Sequence, residues 1–521
     1  MTIRNFTGAF RIIFLSALAL PFFSCTRLVT KSELREHIKY LASDSLRGRL
    51  TGSAGDSLAA DYIRRNLYSS GFTPVNEDGF QRFRVTKRIV EGRNNRLSIN
   101  GTSYLPDKDF MPLAFTSQDS LEAAVVFTGY GFNFKSDSLE WNDYRNIDVK
   151  GKWVMMLRAD PEPDNNSSLY LPFSADRDKA LTAKDLGAAG ILLVAGKNSD
   201  PQDAFEPLGT EGFSAGVPAF RIKRSMADII LSSTGKSIDA LERELIKNRK
   251  SVTIETGSIV KARAELVRET AGTRNVIMKL QGEDPKLAKE YVVIGAHFDH
   301  LGMGGKGSSS RAVDTVAVHP GADDNASGVA MMLELAEKFS KTKASHKRSI
   351  VCVAFTGEEE GLLGSKHYVD DPGIDLSRVN SMINLDMLGR LNESNILQIS
   401  GTGTAKGLRK MIQSVSDTSV IKLALSDEGF GPSDHSSFYG KNIPVLFYFT
   451  GAHTDYHTPF DTYDKINYEG MLRISDLIFN VAENLANSDT TLHFTEAGPK
   501  TAPARRMKGV TLGIMPDFAG A

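Results

Sequence analysis

The sequence predicts an α/β protein built on a mixed, mostly parallel sheet flanked by helices, interrupted by a β-rich α+β segment. Three observations carry this expectation. Near-continuous apolar runs such as "YVVIGAH", "RSIVCVAFTG" and "IPVLFYF" alternate with amphipathic helical segments, the pattern of a sheet covered on both faces. Residues 116–255 change texture to short β-like runs and contain no histidine. Finally, clusters of carboxylates and imidazoles fall just after the apolar runs, beyond the strand ends where ligands gather in such sheets.

Composition bounds the possibilities. A chain of 521 residues is too long for one compact core, so two or three domains are expected. The balance of 62 Lys+Arg against 63 Asp+Glu offers no electrostatic footprint for nucleic acid. Arg4 and Arg11 precede the apolar run "IIFLSALALPFF", which has the length of a signal-peptide core and is too short to span a bilayer. It ends in "FFSC", which resembles a lipobox, so residues 1–25 read as an export signal, with any membrane contact made through a lipid on Cys25. The expected location is the periplasm or cell envelope. The other cysteine, Cys352, lies in an apolar strand-like run, so a metal would have to be held by His, Asp and Glu.

Residues 26–115 open a first domain. Leu34, Ile38 and Leu41 share one helical face and Ala59, Ile63 and Leu67 another, with Gly71 just past the second helix. The segment 116–255, with "EAAVVFTGYGF", "GKWVMMLRA" and "AGILLVA", reads as an inserted domain. Residues 256–490 resume the first domain with alternating strands and helices. Residues 491–521 restart a strand-like pattern after a polar stretch and are expected to pack poorly against the rest.

The strand ends carry the chemistry. "GAHFDHLGMG" gives His297, Asp299 and His300, "PGADDNASG" gives Asp323 and Asp324, and "FTGEEEG" gives Glu358, Glu359 and Glu360. "INLDMLG" gives Asp386 and "DYHTPFDT" gives His457. A lone His-x-Asp reads more readily as neighbouring core histidines than as a metal site or a nucleophile's base with its orienting acid. Charged residues are rarely buried unless paired or bound to metal, however, and so many coincidences at strand ends favour a metal centre. "GPSDHSSF" places Ser433, Asp434 and His435 in a row, but triads draw their members from separate elements, so a loop lining the site is the better reading. Met387, Phe430, His435, Phe438 and Tyr456 lie beside the motifs as candidates for a substrate pocket. His319, His346, His367 and His453 read as surface or structural.

The ordered set HxDH, GADDNASG, EEEGLLGS, NLDMLGR and HTPFDT closely resembles the two-zinc exopeptidases of metallopeptidase family twenty-eight, which include secreted bacterial aminopeptidases and, more distantly, glutamate carboxypeptidase and the transferrin receptor. The resemblance covers roughly residues 30–115 and 256–490; the inserted stretch resembles a protease-associated domain, and the tail the start of a PDZ-like domain. It implies the zinc-exopeptidase, phosphorylase/hydrolase-like fold and two Zn²⁺ per chain. His297 and Asp386 would hold one ion, Glu359 and His457 the other, and Asp324 would bridge them. Glu358 would act as general base toward a metal-bridging hydroxide, and Asp299 would accept from the ring nitrogen of His297 that does not bind metal. Counting back from "GLLGS" places base and ligand at Glu358 and Glu359 instead of Glu359 and Glu360. His300 is left as a structural or supporting residue. The resemblance also implies a cis bond after Asp324. The expected activity is removal of N-terminal residues from peptides. A carboxypeptidase or dipeptidase would use the same ligands, and an inactive receptor-like protein is opposed by the complete set.

Overall fold

The computed structural model describes residues 29–136, 138–165, 167–209, 214–342 and 346–500. The expected export signal with Cys25, and the tail from residue 501, lie outside the described residues. No described helix is long and apolar enough to cross a membrane.

Among the described residues, a nine-stranded sheet carries four adjacent parallel strands in the order Ser349–Phe355, Tyr291–His297, Val379–Leu385 and Val445–Phe449. These segments are rich in β-branched residues and buried almost throughout, as strands covered on both faces require. The period of two divides their side chains between two cores. Val292, Ile294 and Ala296 face the helices Lys31–Leu41, Ala54–Ser69, Gly328–Lys341 and Tyr468–Asn487. Val293, Val351, Val353 and Phe355 face Tyr368, Phe438 and Tyr439. Each fully buried side chain of this kind contributes about 1.5–3 kcal/mol. Because the four strands are parallel, their carboxyl ends lie along one edge. That edge carries the motifs.

The antiparallel partners extend the sheet on both sides. The fifteen-residue strand Leu266–Leu280 pairs with Ser349–Phe355 and with Phe80–Glu91. On the other side, Ile396–Ser400 runs antiparallel to Val445–Phe449.

A second, eight-stranded sheet takes its central strands Ser120–Thr128, Trp153–Leu157, Gly190–Val194 and Ala219–Ile222 from the histidine-free segment. It also recruits Arg96–Ile99, Thr102–Tyr104 and Phe110–Pro112, which precede residue 116, and Thr253–Arg263, which runs past residue 255. These short pieces have too few apolar residues to show their pairing in sequence.

Residues 491–500 are all exposed or half-buried, in line with the expected poor packing, but a few contacts tie them to the domain. The Leu492 amide donates to Asn380 Oδ1 at 2.7 Å, Thr495 N–H donates to Thr404 O at 2.7 Å, and Phe494 packs against Tyr439. The backbone of this stretch finds its partners on the Asn380 side chain and the loop carbonyl of Thr404.

Candidate metal centre

His297 is the last residue of its strand, and Asp386 directly follows Leu385 on the neighbouring strand. Glu358 and Glu359 follow Phe355 on the other side, and His457 lies in the loop after Val445–Phe449. Asp324 precedes the helix Gly328–Lys341. Asn325 fixes that junction: its Oδ1 accepts from Gly328 N at 2.9 Å and from Met387 N at 3.2 Å, and its Nδ2 donates to Leu385 O at 2.9 Å. Asp461 Oδ2 accepts the amides of Asp323 and Asp324 at 2.9 and 3.1 Å. The Asp324–Asn325 peptide bond is cis.

Two groups of ligand atoms result. Around the first point, His297 Nε2 lies 3.3 Å from Asp324 Oδ1 and 3.5 Å from Asp386 Oδ1. Around the second, His457 Nε2 lies 3.1 Å from both Asp324 Oδ2 and Glu359 Oε2. Ligands about 2.0–2.1 Å from a tetrahedral zinc are separated by roughly 3.3 Å, so the spacing fits two cations sharing Asp324. Asp386 Oδ1 and His457 Nε2 are buried without a hydrogen-bond partner, which suits atoms made to face a metal. His457 Nδ1 lies 3.0 Å from Ser309 O, and donation to that carbonyl leaves Nε2 as the lone-pair nitrogen. Ser433 Oγ donates to Asp386 Oδ2 at 2.7 Å, leaving Oδ1 free.

The neighbouring acids and histidines turn elsewhere. Glu360 pairs with Lys87. Asp323 Oδ1 accepts from Gly389 N at 2.6 Å, and its Oδ2 faces His453 Nε2 at 3.2 Å. His300, expected as a structural or supporting residue, has its Nδ1 2.7 Å from Glu359 Oε1 and 3.7 Å from Asp324 Oδ2. The shorter distance is a hydrogen bond and is too close for two ligands of one ion, so His300 steadies the glutamate. Asp299 differs from expectation. It lies 3.7 Å from His297 Nδ1, because its oxygens are taken by Thr51 Oγ1 at 3.0 Å and by the amides of Glu358 and Glu359 at 3.1 and 3.4 Å. Ser433, Asp434 and His435 form no triad. The ring of His435 stacks on Phe447 with both nitrogens unbonded.

The charges report the same design. Burial raises the Glu358 carboxyl well above its usual range, opposed by His297 and reinforced by Glu359, Asp434 and Asp386. Burial should lower the imidazoles, but the surrounding carboxylates prevail. His297 is held well above its ordinary value, chiefly by Glu358 and Asp386, and His457 is raised to about 11, chiefly by Glu359 and Asp324. Crowded buried carboxylates demand positive charge, which protons or metal ions can provide.

Beside these groups opens a pocket lined by His297, Asp324, Glu358, Glu359 and Asp386. Met387 and Tyr456 wall it, together with Phe447, Phe449, Gln398, Ser400 and Pro432, which the sequence reading did not single out. Phe430, Phe438 and His435 do not line it. Phe438 is fully buried against Phe355 and Tyr368, Phe430 packs on the same core, and His435 stacks on Phe447. Four of the missed wall residues, Gln398, Ser400, Phe447 and Phe449, lie on paired strands, where alternation could have placed them on one face once the pairing was known, whereas Pro432 lies in a bend.

Residues 275–482 match Peptidase family M28. The chain is 24% identical to the aminopeptidase YwaD of Bacillus subtilis over 455 residues, covering 84% of this chain and 81% of the relative. It is 24% identical to an aminopeptidase of Pseudomonas aeruginosa over 437 residues, 80% and 69% of the two chains. It is 27% identical to leucine aminopeptidase 2 of Arthroderma otae over 451 residues, 81% and 76%. Among solved structures, it is similar to BSAP, a zinc aminopeptidase from Bacillus subtilis, with TM-score 0.48 and 21% identity over 90% of this chain and 99% of that one.

Proposed function

Residues 275–482 of the chain belong to Peptidase family M28, and from that premise we propose that the protein is a zinc-dependent aminopeptidase with two ions per chain. The observation that carries the reading is Asp324, which offers one oxygen beside His297 Nε2 and the other beside His457 Nε2. In the proposal His297, Asp324 and Asp386 hold one zinc, and Asp324, Glu359 and His457 the other. When bound, the pair supplies Lewis acidity toward a peptide carbonyl and lowers the pKa of attacking water.

The chain's own residues do the rest. Glu358 lines the pocket and has a carboxyl raised by burial, suited to take a proton from water and hand it to the leaving amine. Asp299 accepts the amides of Glu358 and Glu359 and so fixes base and ligand in one loop. Asp386 is held by Ser433, and Glu359 by His300. Among the described residues lining the pocket, none is lysine or arginine. A C-terminal carboxylate therefore finds no lysine or arginine side chain to pair with there, whereas a protonated N-terminus finds the Glu358 carboxylate, which favours an aminopeptidase over a carboxypeptidase.

The reading includes export and a lipid on Cys25, drawn from the "FFSC" ending of the apolar leader. It also includes a protease-associated domain across 116–255 and a PDZ-like start after 491. The deciding experiment is a panel of chromogenic amino-acid amides set against N-terminally blocked peptides, with zinc measured in the same preparation. Cleavage of free-amine substrates by protein carrying about two zinc ions is expected. Turnover only of blocked peptides would overturn the assignment.

A further inference from the structure

The pocket beside the metal centre carries two polar side chains that hydrolysis itself does not use. Gln398 and Ser400 lie on Ile396–Ser400, directly opposite Phe449 and Phe447 of the neighbouring strand. Alternation sends Leu397 and Ile399 into the core and Gln398 and Ser400 to the opposite face, where both line the pocket. Asp386 follows the strand Val379–Leu385, which is two positions away in the sheet. That separation is about 10 Å, so a side chain extending from a substrate bound at the metals can point toward them.

Neither side chain is engaged in a hydrogen bond with the described residues. Around them the wall is apolar, made by Met387, Phe447, Phe449 and Pro432. An amide and a hydroxyl set in such a wall reject two classes of side chain. A charged one finds no counter-ion on this wall. An aliphatic one displaces water from both groups and returns no hydrogen bond, a penalty that discriminates more strongly than a lost methylene.

We propose that Gln398 and Ser400 select N-terminal residues whose side chain is uncharged and hydrogen-bonding, with the carboxamide of glutamine foremost. A carboxamide both donates and accepts, as does that of Gln398, and the hydroxyl of Ser400 can serve either role. The inference rests on the aminopeptidase reading and adds the substrate class.

The test uses the zinc-loaded full chain with glutamine, leucine, glutamate and lysine p-nitroanilides. The expected result is a kcat/KM for glutamine at least about tenfold above leucine, with glutamate and lysine lower still. In the volume-conserving Gln398→Met, Ser400→Ala double variant, with unchanged zinc content and melting temperature, the preference should shift at least about tenfold toward leucine. Calorimetry supplies a readout independent of turnover: the unaltered protein should bind free L-glutamine more tightly than L-leucine, and the double variant should not. Equal or better turnover of leucine by the unaltered protein would overturn the inference while leaving the aminopeptidase reading intact. Absence of turnover on every amide would overturn both.

Discussion

Asp299 receives the backbone N–H of Glu358 at 3.1 Å. The two residues follow adjacent parallel strands, so one carboxylate joins the loop after His297 to the loop of the proposed base. Its second oxygen takes Thr51 Oγ1 and Glu359 N–H. Asp299→Asn exchanges one acceptor for a donor that faces donors. The expected effect is a kcat lower by about 10- to 100-fold, the usual cost of losing support around a metal site. Steady-state kinetics and zinc analysis on one preparation check this, and unchanged kcat would mean that the loop is held without Asp299.

If Glu358 is the proposed base, Glu358→Gln removes proton transfer and leaves the proposed ligands in place. Turnover should fall by roughly 10² to 10⁴ with zinc retained. Glu360→Gln is the matched control, because Glu360 pairs with Lys87 and not with the centre. It should keep both zinc and turnover within a few-fold, and a reversed result would assign the base to the wrong glutamate.

Asp324 touches both groups of ligand atoms, whereas His457 belongs to one. Asp324→Asn should therefore lower the content of both metal positions, and His457→Ala of one. Atomic absorption after dialysis against trace zinc distinguishes them. Equal stoichiometry in the two variants would remove the sharing role.

The parallel strands and the acidic clusters after them were legible because continuous apolar runs and charged strand ends are local signals. Longer-range pairing was not. The strands Arg96–Ile99 and Phe110–Pro112 join the second sheet through partners far along the chain. The roles of His300 and Asp299 depend on which neighbour reaches them first, Glu359 in one case and two backbone amides in the other. Phe430 and Phe438 sit beside the site in sequence but face the core, whereas Gln398 and Ser400 reach the pocket only through strand pairing.

Arg49 is buried and donates to four backbone carbonyls, those of Leu41, Phe298, Pro320 and Gly321. It thereby ties the end of the first helix to the loops that carry His297 and Asp324. Lysine has a single nitrogen and cannot span four acceptors. Arg49→Lys should cost about 2–4 kcal/mol, one or two buried carbonyls being left unmet. Urea unfolding measures the loss, and a cost under 0.5 kcal/mol would mean that water replaces the guanidinium without penalty.

His435 gives the stability a pH dependence whose sign is fixed. Burial lowers its pKa to about 3, against an ordinary value of 6.5, and its ring nitrogens have no partners. Between these values the unfolded chain binds a proton that the folded protein refuses. Stability therefore rises with pH across this window, or equally is lost as pH falls from 6.5 toward 3. The slope from one such group is at most about 1.4 kcal/mol per pH unit. His435→Phe keeps a ring against Phe447 and cannot bind the proton. Any strain from the larger ring against Gly431 is the same at every pH and leaves the slope unchanged. With zinc removed from both proteins by chelator, urea unfolding from pH 7 to pH 4 should show the variant losing stability more slowly than the parent. Parallel curves would mean that the imidazole is protonated in the folded protein, and that the apolar stack on Phe447 opens to admit water.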